Sequence, residues 1–124
     1  MYNFSNVSEQ RLLTCHASIQ TVCRTVIQDY DFMVLCGYRD ETEQNNAYNS
    51  GASQLEYPKS KHNTMPSLAV DLAPYPIDWD DLKRFHELAG RVLEVASLLN
   101  IQIAWGGHWK KFKDYPHFEL VINI

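Results

Sequence analysis

The sequence predicts an α+β fold with a small, largely antiparallel sheet and two main helices. Two long stretches carry apolar residues at helical spacing, and four short apolar runs lie apart from one another. The last two of these runs are joined by a glycine- and lysine-rich loop rather than a helix, which favours antiparallel pairing over a βαβ unit. With 124 residues, 45% of them hydrophobic and 21% charged, the chain can bury one core and is expected to form one domain, 1–124.

The first helix is expected over residues 8–28. Leu12, Leu13, His16, Ile19, Val22, Cys23, Val26 and Ile27 follow the i, i+3/i+4, i+7 pattern, with Ser8 as N-cap. His16 falls on this apolar stripe and reads as a packing residue. Asp29-Tyr30-Asp31 ends the helix, and Phe32 to Cys36 forms a continuously apolar strand stopped by Gly37. Thr42 to Asn49 reads as a short polar helix closed by Gly51, and 52–67 as an exposed loop. Leu68 to Leu72 is the second strand, halted by Pro74 and Pro76. Asp78 or Asp80 then caps a helix whose buried face is Leu82, Phe85, Leu88, Ala89, Val92, Leu93, Ala96 and Leu99. His86 lies off that face and reads as solvated, and Trp79 as a packing residue at the helix start. Ile101 to Trp105 and Phe118 to Ile122 complete the sheet.

Composition narrows the function. A net charge of −4 argues against nucleic-acid binding, which requires a Lys/Arg surplus. No apolar run reaches the ~20 residues of a membrane helix, so no membrane insertion is expected. The start, MYNFSNVSEQ, lacks the features of a signal peptide, and the product is expected to begin in the cytoplasm. Cys15, Cys23 and Cys36 form no CxxC pair and read as buried free thiols.

Chemistry-bearing residues gather in two segments. His62 and Asp71 bracket the first, and Asp114-Tyr115-Pro116-His117 leads into the last strand. Two imidazoles and one carboxylate suit a catalytic zinc site that keeps a fourth position open. Strand alternation places His117 and Glu119 on one face and Phe118 and Leu120 on the other. Glu119 then either orients a ligand histidine or faces solvent, and both readings stay open. Lys110, Lys111 and Lys113, beside Trp105 and Trp109, read as a solvated loop.

Ser60-Lys61-His62, Ala69-Val70-Asp71 and Asp114-Tyr115-Pro116-His117-Phe118-Glu119 together resemble the paired signature of the D-Ala-D-Ala carboxypeptidase/VanX-like zinc peptidases (peptidase M15). The similarity is to the phage endolysin branch of L-alanyl-D-glutamate peptidases. It continues through Gly37-Tyr38-Arg39 with Gln44, Ala73 to Trp79, and Trp105-Gly106-Gly107. The resemblance implies a Hedgehog/DD-peptidase-like fold and a Zn2+ cofactor held by His62, Asp71 and His117. It assigns acid/base catalysis to Asp114 and assistance at the scissile carbonyl to Arg39. For Arg39 the residues alone favour a surface ion pair with Asp40 or Glu41. The implied substrate is the peptidoglycan stem peptide, reached from the host cytoplasm at lysis with the help of a holin and without a separate wall-binding domain. A D-Ala-D-Ala carboxypeptidase or dipeptidase, and a non-catalytic zinc-binding domain that recognises a partner, are the alternatives. The segment from His62 to Asp71 is longer than in many relatives, and His108 replaces an Asp found in some; it reads as substrate-facing or structural.

Overall fold

In the computed structural model, which describes residues 1–121, four helices and four strands run α1 (Asn6–Leu12), α2 (Ala17–Val26), β1 (Phe32–Cys36), α3 (Glu41–Asn49), β2 (Ala69–Pro74), α4 (Leu82–Leu98), β3 (Ile103–Trp105) and β4 (His117–Leu120). The sheet order is β1-β2-β4-β3, and every neighbouring pair is antiparallel. The α+β architecture expected from the apolar pattern is therefore the one observed. Ile122, the expected end of the last strand, lies outside the described residues.

Alternation along the two central strands divides the sheet into a core face and a site face. Val70, Leu72, Phe118 and Leu120 enter the hydrophobic cluster with Ile19, Val22 and Val26 of α2 and Leu88, Val92 and Ala96 of α4. Asp71, His117 and Glu119 sit at the intervening positions, away from that cluster. Asp71 and His117 are direct cross-strand partners, as are Ala69 and Glu119.

The expected helix over 8–28 is broken in two. Ser5, not Ser8, caps α1, its side chain accepting from the Ser8 N–H at 3.1 Å. Ser8 is instead buried, and its Oγ accepts from Val34 N–H at 3.1 Å on the open edge of β1. Such a bond covers an edge strand that would otherwise offer free backbone groups. The break at 13–16 arises because this backbone pairs elsewhere: Ser67 N–H donates to Thr14 O at 2.9 Å, and His16 N–H to Ser67 O at 2.8 Å. His16 is thus no packing residue; its Nδ1 caps α2 by accepting from Ser18 N–H at 3.0 Å. Leu13, freed from the stripe, is exposed.

Other boundaries shift less. Asp40 caps α3 in a reciprocal capping box with Glu43. Asp81 rather than Asp78 or Asp80 precedes α4, while Asp78 accepts from Asp80 N–H in the turn before it. Leu82 and Leu99 flank the buried face of α4 and are exposed. The 52–67 segment is an exposed loop only in part, because Ser60, His62 and Ser67 are buried. All three cysteines are free; Cys15 and Cys23 are buried and Cys36 half-buried. No helix among the described residues is long and apolar enough to cross a membrane.

Candidate metal centre and active-site cleft

His62 comes from a short 3₁₀ turn, Lys61–Asn63, opened by Ser60, whose Oγ accepts from His62 N–H at 3.2 Å. The imidazole is 2% exposed, and its Nδ1–H donates to Gly37 O at 2.7 Å. That bond turns Nε2 toward Asp71, where it is a buried polar atom without a hydrogen-bond partner among the described residues. Nε2 lies 3.3 Å from Asp71 Oδ1, and His117 Nδ1 lies 3.2 Å from the same oxygen. One candidate ligand atom from each residue falls within 4.8 Å of the others. A buried imidazole nitrogen that makes no well-aligned hydrogen bond, 3.3 Å from a carboxylate and close to a second imidazole, fits a small N/O-coordinated cation.

The charges in this cluster are strongly coupled. Burial alone would lower the His62 imidazole, but the nearby Asp71 carboxylate and Cys36 thiol raise it to about 10. His117 is opposed by burial in the same way and raised by Asp71 and Glu119. Burial would push the Asp71 carboxyl up; the two histidines override it and hold it well below the usual carboxylate range. The site thus favours positive charge against Asp71, whether proton or metal.

Arg39 and Asp114 reach the same cavity, of about 630 Å³. Arg39 makes no pair with Asp40 or Glu41. Its Nη2 lies 3.4 Å from Asp71 Oδ2, and its Nη1 donates to Gln44 Oε1 at 2.9 Å. Gln44 is 0% exposed; its Nε2 donates to Ser53 Oγ and to Leu55 O, and Asn63 Nδ2 donates to its Oε1. The residue types gave no hint of this brace, although Gln44 stood out in the resemblance. Asp114 is half-buried, and its carboxyl is raised by burial first and by the Asp71 charge second, with His117, His62 and Arg39 opposing. Gly106 permits this arrangement, since a Cβ there would collide with Asp114 O and crowd His117 Cβ.

Trp109 lines the cavity with its ring 5.0 Å from that of His117. Trp79 also lines it; the ring stacks on Phe85 but stays 57% exposed, so it is only half the packing residue expected. Trp105, by contrast, is core, and its Nε1–H donates to Tyr115 O at 2.8 Å. His108 and His86 are both exposed, and each ring meets that of Trp105 at a steep angle, 4.9 and 5.0 Å between centroids. Lys111 lines the cavity, whereas Lys113 braces the loop through Gly107 O and Trp109 O. Glu119 does not simply face solvent: its Oε1 lies 2.8 Å from His117 Nε2.

The chain is 32% identical to the L-alanyl-D-glutamate peptidase of Escherichia phage T5 over 120 residues, covering 92% of this chain and 86% of that protein. It is 33% identical over 109 residues to the peptidoglycan L-alanyl-D-glutamate endopeptidase CwlK of Bacillus subtilis (strain 168), covering 75% of this chain and 62% of CwlK. The fold superposes on the crystal structure of the Serratia marcescens L-Ala D-Glu endopeptidase ChiX with a TM-score of 0.81 and 29% identity, over 96% of this chain and 90% of that one. The profile of the phage L-alanyl-D-glutamate peptidases matches residues 1–121, and the chain belongs to that family.

Proposed function

We propose that the protein hydrolyses the L-alanyl–D-glutamate bond of the peptidoglycan stem peptide as a zinc endopeptidase, with His62, Asp71 and His117 as metal ligands. The observation that carries the metal assignment is the orphaned, buried His62 Nε2 facing Asp71 Oδ1 and the partner histidine. Zinc in an open three-ligand site supplies Lewis acidity and makes water acidic enough to lose a proton near neutral pH.

The remaining work falls to side chains of the cleft. Asp114 accepts the proton of the attacking water and passes it to the departing D-glutamate amine. Two of the guanidinium nitrogens of Arg39 are engaged by Gln44 and Asp71, which fixes the group at the cavity wall; its other donors serve the oxyanion. Trp109 and Trp79 form walls that restrict water around the peptide. The cavity volume is that of a site for a few peptide residues.

Metal analysis of the purified protein tests this reading. One zinc per chain, activity lost to a chelator and regained with zinc, and impaired zinc binding in His62→Ala, Asp71→Ala and His117→Ala are the expected results. Full zinc occupancy in all three variants would sink the ligand assignment.

A further inference from the structure

We propose that Lys61 and Glu119 are positioning residues that fix the ring of His117, so that Nδ1 is its metal-facing nitrogen; the inference rests on the ligand assignment above. The supporting contacts form a closed circuit. Lys61 Nζ donates to Leu120 O at 2.6 Å and pairs with Glu119 Oε2 at 3.0 Å. The other carboxylate oxygen, Oε1, lies 2.8 Å from His117 Nε2. His117 Nδ1 lies 3.2 Å from Asp71 Oδ1, which also faces His62 Nε2, and His62 follows Lys61 in the chain.

An ionised carboxylate only accepts, so the 2.8 Å contact to Glu119 Oε1 holds a proton on His117 Nε2; Nδ1 faces the Asp71 carboxylate, and it is there that a cation would take a proton's place. His62 is set in the opposite sense, because its Nδ1–H is given to Gly37 O and Nε2 is left free. The two histidines therefore present different nitrogens to one point, each fixed by the bond made at its far side. Glu119 can do this because the two-residue strand period puts it on the same face as His117. Left alone, its side chain would be half-exposed and free to rotate; Lys61 holds it from the neighbouring ligand-bearing turn. The residue before the first ligand thus supports the last one, linking two segments far apart in the sequence. The same ion pair secures Lys61, so Lys61 is a brace rather than a free cation available to substrate carboxylates.

Zinc competition against a chromophoric chelator, run on folded protein verified by circular dichroism, tests the circuit. Glu119→Gln is expected to bind zinc about 10–100-fold more weakly. Lys61→Met is expected to lose a smaller factor in the same direction and Lys61→Arg to restore it. The double variant Lys61→Met/Glu119→Gln should be no weaker than Glu119→Gln alone, since both changes break one chain of contacts. Nitrogen-15 NMR of the zinc-loaded parent should show the His117 proton at Nε2, and faster exchange of that proton with water in Glu119→Gln. Parental zinc affinity in Glu119→Gln, or losses that add fully in the double variant, would overturn the proposal. A His117→Ala control separates the two levels: if it keeps zinc, the ligand assignment itself fails, whereas weak binding there beside parental binding in Glu119→Gln removes only the circuit.

Discussion

At Asp114 no hydrogen bond or ion pair reaches the carboxylate among the described residues, and burial and Asp71 raise its pKa. A carboxyl whose folded pKa exceeds the unfolded value of about 3.9 favours folding below that value and loses this contribution as pH rises through the folded one. At neutral pH the ionised group therefore costs stability, and Asp114→Asn should melt at a higher temperature than the parent when both are metal-free. The same variant should keep zinc and turn over about 10²–10⁴-fold more slowly, as expected for loss of a positioned acid/base. A zinc-loaded Asp114→Asn enzyme with parental turnover would remove Asp114 from the chemistry. That His62, Asp71, His117 and Asp114 share one cleft was legible through the resemblance, which rests on the short motifs they occupy; their spacing alone did not show it. The bracing of Arg39 was not, since the residue that engages it instead of Asp40 or Glu41, Gln44, is an ordinary polar side chain until α3 buries it against Asn63 and Ser53. The orientation of Glu119 likewise depends on a ring two residues away in β4 whose direction no sequence pattern reports.

Among the elements, β1, β2 and α4 follow from apolar runs and their breakers; β1 has the expected bounds, and those of β2 and α4 shift by a few residues. The split between α1 and α2 does not, because 13–16 contain neither glycine nor proline. The pairing with Ser67 is a tertiary contact that overrides a continuous helical pattern, and the surplus Leu13 is left in solvent. The loop that precedes β4 is more demanding than its composition suggests. Gly106→Ala should displace Asp114 and crowd His117, because the new methyl would meet the Asp114 backbone rather than a yielding side chain. The expected outcome is a folded protein with weakened zinc binding and strongly reduced hydrolysis; full activity would show that the loop relaxes freely. Asp40→Ala removes the cap of α3 and should cost about 0.5–2 kcal/mol in chemical denaturation. Because α3 carries Gln44, some loss of activity should accompany it.

For the molecule as a whole, the cluster on the site face of the sheet makes stability depend on pH in opposite ways with and without metal. In the metal-free protein the raised His62 contributes stability below its ordinary value of 6.5, and this is lost as pH climbs toward about 10. The lowered Asp71 contributes above its ordinary value of 3.8 and loses that contribution only in stronger acid. Zinc requires deprotonated imidazoles, so its stabilising effect grows over the range where the metal-free protein weakens. Thermal melts between pH 6 and pH 9 should fall with pH in a chelator and hold or rise in excess zinc; parallel curves would contradict a shared proton and metal site. Mass spectrometry of purified muropeptides after digestion with zinc-loaded protein identifies directly the bond that is cut. Fragments beginning with a new D-glutamate amine, with L-alanine left on the glycan, are the expected products. Release of D-alanine from stems whose L-alanyl–D-glutamate link stays intact, or an undigested wall at full zinc loading, would contradict the account.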